Sequence, residues 1–311
     1  MCILYVVNQY ICVDPYAARY CFTFNLFARY IRMLTDIVYR SDRSSSTMAN
    51  IMREFNACNK SPHLMFPGKR FLTIIACHPD TTMKLNTVIN NLRYVSFPTN
   101  KVVIVSSNNT RFSDALERWV TNHQDDHLEY IGIPNDSKQL DIGKWMHYLR
   151  TYYKDGFHRV VFLNDSILIS KNIYHFFNAS IRSSAHLYGF NDSDLIKYHF
   201  QSYLFSVTSE SISKFITYYE GVKSGLNGYG SVVEKIELML VDIFTSNDCF
   251  LKLTQLGHGL VSNIYSIPLN KYRALYNHGV IPFHKLRTLR GESSMRSDVN
   301  YTKKRILMNG L

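Results

Sequence analysis

An α/β fold with a mostly parallel sheet flanked by helices is what this chain of 311 residues predicts, and three observations carry the prediction. Short apolar runs at 71–77, 101–107 and 159–163 have the length and near-continuous apolarity of strands buried on both faces. Stretches with helical spacing lie between them, so strand and helix alternate as right-handed βαβ units require. Apolar side chains make up 46% of the chain, enough at this length to bury a full core and to exclude disorder.

Taken in order, the first 66 residues are rich in Tyr, Phe and Arg. They set Phe24, Phe27, Ile31, Leu34 and Val38 at helical spacing until RSDRSSS (40–46) breaks it. The expectation is a helical N-terminal extension and linker over 1–66, a main domain over 67–290 and a basic C-terminal tail over 291–311. The domain begins after Pro67 and Gly68 with FLTIIAC (71–77), followed by a helix through Met83, Val88, Leu92 and Val95. KVVIVSS (101–107) is the second strand, followed by an amphipathic stretch at 112–120. LEYIGIP (128–134) is the third strand, and a helix runs through Ile142, Trp145, Leu149 and Tyr152. RVVFL (159–163) is the fourth strand and turns abruptly polar at Asn164, Asp165 and Ser166. Ligands of open α/β sheets sit beyond the carboxyl ends of the strands, so chemistry is first sought at that turn. Where dehydrogenases carry a Gly-rich turn after the first strand, this chain has Cys77, His78, Pro79 and Asp80.

Composition removes several classes. Cys2, Cys12, Cys21, Cys58, Cys77 and Cys249 lack the spacing of a zinc site or a disulfide scaffold, which points to reduced thiols. The apolar start has no basic n-region and meets Asn8, Gln9 and Asp14 too early for a signal peptide or a spanning helix. A cytoplasmic location is expected, peripheral to a membrane at most, and Asn-x-Ser/Thr matches such as Asn178 to Ser180 are read as chance. The formal charge of +11 is uneven: residues 1–70 hold 9 basic and 4 acidic groups, residues 271–311 hold 9 and 2, and the middle holds 17 and 18. Basic ends around a nearly neutral centre fit an acidic surface met by the termini and lack the basic, aromatic-interleaved face of a nucleic-acid binder.

Four segments in order resemble the rhamnan synthesis F family: DIGKWMHYL (141–149), FLNDSILI (162–169), HFQSYLFSV with VVEKIELML (199–207 and 232–240), and HGVIPFHK (278–285). The resemblance implies a GT-A fold, a nucleoside-diphosphate sugar donor and a glycan acceptor. It also implies glycosyl transfer with inversion as the favoured outcome, the sugar being a deoxysugar such as rhamnose or another hexose. FLNDSILI stands where such enzymes keep an Asp-x-Asp motif for Mn²⁺ or Mg²⁺, but only Asp165 is acidic, flanked by Asn164 and Ser166. Either a weak metal site leans on Asp165, with His278 or His284 completing it, or the reaction runs without metal. Asp141 at a helix start, Gly143 for close approach, Lys144 and Lys285 for phosphate charge complete the expected donor site.

The remaining expectations concern the reacting sugars. HFQSYLFSV reads as one strand with His199, Gln201 and Tyr203 on a shared face toward the acceptor or sugar. VVEKIELML reads as one helix with Val233, Ile236, Leu240 and Ile243 inward and Glu234 and Glu237 on a shared flank. Glu234 is the preferred general base and Glu237 the second choice. Two rivals stay open: a non-catalytic glycan- or nucleotide-sugar-binding module with a degenerate site, and a basic nucleic-acid-associated protein.

Overall fold

The structure, a computed structural model, describes residues 43–58, 60, 62–123, 126–136, 138–256 and 264–286. The helical spacing expected between Phe24 and Val38, and the tail expected over 291–311, lie outside them. The described chain enters through helix α1 (Arg43–Cys58) and the short α2 (Pro62–Met65). Helix α1 begins inside the stretch read as linker, because serine, poor in a helix interior, is well tolerated at a helix start.

The alternation expected from the sequence follows: β1 (Phe71–Cys77), α3 (Thr82–Val95), β2 (Asn100–Ser107), α4 (Ser113–Asn122), β3 (Leu128–Ile133), α5 (Leu140–Thr151) and β4 (Arg159–Asn164). Strand β1 pairs in parallel with β2 and β4, and β2 with β3, so the order is β3-β2-β1-β4. All seven residues of β1 are buried, which is why FLTIIAC shows no polar alternation. Phe71, Ile75 and Cys77 pack on the side of Val88 and Leu92 of α3, whereas Leu72, Ile74 and Ala76 pack with Ile142, Trp145 and Met146 of α5.

Beyond β4 come β5 (Ile167–Ile169), α6 (Tyr174–Arg182), β6 (Leu187–Ser193), β7 (His199–Phe200), β8 (Leu204–Thr208), α7 (Ile212–Val222) and α8 (Tyr229–Lys235). A 3₁₀ turn at Glu237–Met239, α9 (Leu240–Ile243), β9 (Asn247–Leu251), α10 (Leu269–Asn277) and β10 (Phe283–Lys285) complete it. Strand β8 lies antiparallel between β4 and β6, β9 is parallel to β6, and β7 is antiparallel to β6. The small sheet of β5 and β10 is antiparallel. The fold is therefore α/β, with a mostly parallel mixed sheet flanked by helices.

Two expectations are corrected. HFQSYLFSV is two strands, β7 and β8, joined by a turn at Gln201–Tyr203. The Gln201 amide donates to the Asn191 carbonyl at 3.1 Å and the Ser202 hydroxyl donates to Glu237 at 2.5 Å, so polar partners hold the turn where strand pairing would otherwise continue. VVEKIELML is not one helix, because it breaks at Ile236, whose φ of −119° and ψ of −65° start the 3₁₀ turn. Ile236, Leu240 and Ile243 are buried as their spacing predicts, and Val233 is half-buried. Among the described residues no helix is long and apolar enough to cross a membrane. Cys58, Cys77 and Cys249 are buried.

Candidate active site

The carboxyl ends of β1, β2 and β4 converge on the Asn164-Asp165-Ser166 turn, as the strand order requires. Asn164 fixes its shape. The side-chain amide donates to Asp141 Oδ2 at 2.9 Å, while its Oδ1 accepts from the Ser166 amide at 3.1 Å and hydroxyl at 2.5 Å. Asp165, 6% exposed, donates its own amide to Ala76 and accepts the His78 amide on Oδ2 at 2.7 Å. This clamps the β4 turn against the end of β1.

Lys84, in the first turn of α3, approaches from the other side. Its Nζ lies 3.2 Å from Asp80 Oδ1, 3.3 Å from the His78 carbonyl oxygen and 3.9 Å from Asp165 Oδ2. The His78 ring meets Ser107 Oγ through Nδ1 at 3.0 Å, and that hydroxyl donates to Asn135 at 3.1 Å. With the hydroxyl hydrogen committed, Nδ1 carries the ring proton and Nε2 keeps a lone pair. Burial, followed by the charges of Lys84 and Lys144, holds the imidazole below its ordinary value.

Asp141 sits in the first turn of α5 but does not cap it, since its carboxylate is taken by Asn164. Burial, and next the neighbouring Asp165 charge, push Asp141 up to about 6, and burial raises Asp165 as well. The backbone just before it is strained: Leu140 has φ of +52°, left-handed for a residue with a branched side chain. Gly143 allows close approach, but of a protein neighbour, because a Cβ there would stand 2.8 Å from Gln139 Cβ. Lys144 is 3% exposed. The Cys77 thiol, pushed up to about 12 chiefly by burial, remains protonated.

A second group adjoins the first. The pairing of Leu163 with Leu204 sets the Gln201–Tyr203 turn beside the β4 turn, and the Leu286 amide donates to Ser166 O at 2.8 Å. Lys285 belongs to this second group, its Nζ donating to Gln201 Oε1 at 2.9 Å and standing 4.3 Å from the centre of the Tyr203 ring. The Tyr203 hydroxyl donates to Asn191. His199 Nε2 lies 3.6 Å from Glu237 Oε1 and 3.3 Å from Gln201 Nε2. The Glu237 side chain is 21% exposed and that of His199 only 5%, so an incoming group meets the carboxylate first. Although burial works against the charge, bonds from His199 and Ser202 hold Glu237 below its ordinary value, and the same pairing raises His199. Glu234 points elsewhere: the break at Ile236 leaves it on the exposed side of α8.

His199, Gln201 and Tyr203 are each buried and form a layer behind Glu237 and Lys285. The expected metal shell of Asp165, His278 and His284 does not assemble. His284 is buried against the Tyr276 ring, with centroids 4.5 Å apart, and His278 is exposed at the end of α10. Among the described residues, no group of three or more His, Cys, Asp or Glu side chains is placed to hold a metal ion. The donor set itself does not fit one: a divalent cation wants several oxygens with free lone pairs, whereas Asp165 faces an amide and an ammonium and Asp141 faces an amide. Sequence reading missed His78, Asp80, Lys84, Ser107 and Asn135. The signal for them was present, because His78, Asp80 and Ser107 stand at strand carboxyl ends and Lys84 in the first turn of the helix after β1.

No protein-family model matches the chain, and no curated protein matches it. Solved structures with related layouts include 4-diphosphocytidyl-2C-methyl-D-erythritol synthase from Anaerococcus prevotii, with 8% identity over 61% of this chain and 89% of that one, TM-score 0.42. A chain described as a nucleotide-diphospho-sugar transferase from Desulfovibrio desulfuricans has 12% identity over 78% and 98%, TM-score 0.41. A mannosyltransferase from Pyrobaculum calidifontis, solved with GDP-Man and Mn²⁺, has 12% identity over 59% and 58%, TM-score 0.36. At these scores nothing of those proteins' activity passes to this chain.

Proposed function

We propose that the chain is a nucleotide-sugar-dependent glycosyltransferase, similar to the rhamnan synthesis F family and GT-A-like in fold, that inverts the transferred sugar. One observation carries the reading most. A polar, lysine-bearing cluster at the strand carboxyl ends adjoins a carboxylate held below its ordinary value, Glu237, with Lys285 beside it.

In this reading the donor's diphosphate lies against Lys84, Lys144 and Lys285, with Asp141, Asn164, Asp165 and Ser166 shaping the wall behind it. Glu237 accepts the proton of the acceptor hydroxyl. The hydroxyl oxygen bonds to the anomeric carbon, and the bond from that carbon to the diphosphate breaks with its electron pair on the diphosphate oxygen. Lys285 meets the charge developing there. His199 and Ser202 position the Glu237 carboxylate, and Gln201 and Tyr203 position Lys285. The acceptor is a glycan or glycoconjugate, and the basic ends of the chain hold the enzyme at the acidic membrane surface where such a glycan is built.

A panel of nucleotide sugars, screened for thermal stabilisation and then for transfer or hydrolysis, tests the reading, because a ligand bound only by the native state raises apparent stability. Stabilisation by one nucleotide family together with turnover is the expected result. Stabilisation without turnover on any acceptor would favour the non-catalytic binding module, a rival that draws support from the internal engagement of both Asp141 and Asp165.

A further inference from the structure

Lys144 carries an ammonium whose hydrogen bonds the described protein leaves unmade. It is 3% exposed, yet among the described residues its ammonium makes no hydrogen bond and no ion pair within 4.0 Å. Its charge reaches Asp141, Asp165 and His78, which locates it between α5 and the ends of β1 and β4. Asp141 and Asp165 lie near enough to offset part of that charge, and the ammonium's own hydrogen bonds stay open to an anion arriving from outside. Lys84 faces the same space from α3, a helix of 14 residues that opens after Thr81, whose hydroxyl accepts the Lys84 amide at 3.3 Å. The first amides of that helix add their partial positive charge.

We propose that Lys84 and Lys144 occupy the role of the divalent cation, so that this site binds the diphosphate of a nucleoside-diphosphate sugar without metal. The inference rests on the glycosyltransferase reading above. A metal at Asp165 would lie beside the Lys84 ammonium, already 3.9 Å from Asp165 Oδ2, where like charges repel. Two ammonium groups and a helix start meet a diphosphate with the charge a cation would bring. They leave Asp165 with the structural task visible in its bonds, joining the β4 turn to β1.

The test is calorimetric titration of the full chain with UDP, dTDP, GDP and CDP, in excess EDTA and again with MnCl₂ or MgCl₂. At least one nucleoside diphosphate should bind in EDTA within about threefold of its affinity with metal. Lys144→Met should weaken that binding at least about tenfold, the loss of a charge-assisted contact. Lys84→Met, at a partly exposed position, should weaken binding similarly and serves if the first variant does not fold. Binding that vanishes in EDTA and returns with Mn²⁺ would overturn the inference and leave the glycosyltransferase reading intact, as would unchanged affinity in both variants. No binding of any nucleoside diphosphate in either condition would remove that reading itself.

Discussion

Glu237 and Glu234 stand three positions apart in sequence, and only the fold separates them. The helix break at Ile236 turns one into the cluster with His199 and Ser202 and leaves the other exposed. Glu237→Gln should therefore lower the kcat of transfer by about 10² to 10⁴-fold with donor affinity nearly kept, since the amide retains size and hydrogen bonding but not basicity. Glu234→Gln should run near normally; a crippled Glu234→Gln beside an active Glu237→Gln would reverse the assignment. Asp141 supports a prediction in pH. Its folded value is raised from the ordinary 3.8 to about 6, so the folded state holds the proton more tightly than the unfolded chain, and stability is lost as pH rises through that window. Asp141→Asn keeps an oxygen for Asn164 and removes the titration. At pH 8 it should unfold with about 2 kcal/mol more free energy than the parent, and the gain should vanish near pH 4 in denaturant titrations. A constant gain at both pH values would show that something other than the buried charge is at work. These residues were legible in unequal measure. Asp165 was singled out from the end of a strand, and Lys144 and Lys285 from the resemblance, but the engagement of Asp141 by Asn164 is a contact across 23 positions that periodicity does not encode.

Among the elements, the apolar runs of β1, β2 and β4 read cleanly because they are buried on both faces. The broken elements did not, for a common reason: β7, β8, α8 and the 3₁₀ turn are divided where a side chain finds a distant polar partner. The joint is Ser202 with Glu237, 35 positions apart. Helix α5 shows the same kind of override at its start, where spacing predicts an ordinary helix and the backbone enters through a left-handed leucine. That conformation costs a residue with a side chain about 1–2 kcal/mol, which glycine escapes. Leu140→Gly should thus leave the unfolding free energy unchanged or raised, although glycine at a helix start ordinarily lowers it. A loss beyond about 1 kcal/mol in chemical denaturation would mean that the leucine side chain outweighs the strain. Should the variant be more stable yet bind nucleotide less well, the strain would be part of how Asp141 and Lys144 are presented.

Over the whole molecule, the parallel alternation of β1 to β4 was legible, but the strand order and the antiparallel half were not. Strand β6 (LYGFNDS) is buried at all seven positions, and its polar Asn191 and Asp192 are met by Tyr203 and Thr254, partners distant in sequence. The domain start expected at residue 67 also hides a tertiary contact. Helix α1 packs on α6, with Phe55 and His175 ring centroids 4.9 Å apart, and the Asn178 side chain donates to the Cys58 and Lys60 carbonyls at 2.6 Å each. This contact decides how the basic ends should be tested. Of the 9 basic and 4 acidic groups in residues 1–70, 5 and 1 lie in 43–70, so the remainder in 1–42 nearly cancels, whereas residues 287–311 carry 6 and 2. A cut at residue 66 would take Ile51, Phe55 and Cys58 out of the core, and any lost binding would be confounded with unfolding. A chain lacking 1–42 keeps both that core and most of the N-terminal charge excess. It should co-sediment with phosphatidylserine vesicles as well as the full chain does, and high salt should release both. Removal of 287–311 should weaken vesicle binding markedly, each basic group near the surface contributing about 1 kcal/mol. If instead the shorter N-terminus abolished binding and the shorter C-terminus left it unchanged, net charge would not be the attraction, and the apolar first residues would be the part that meets the membrane.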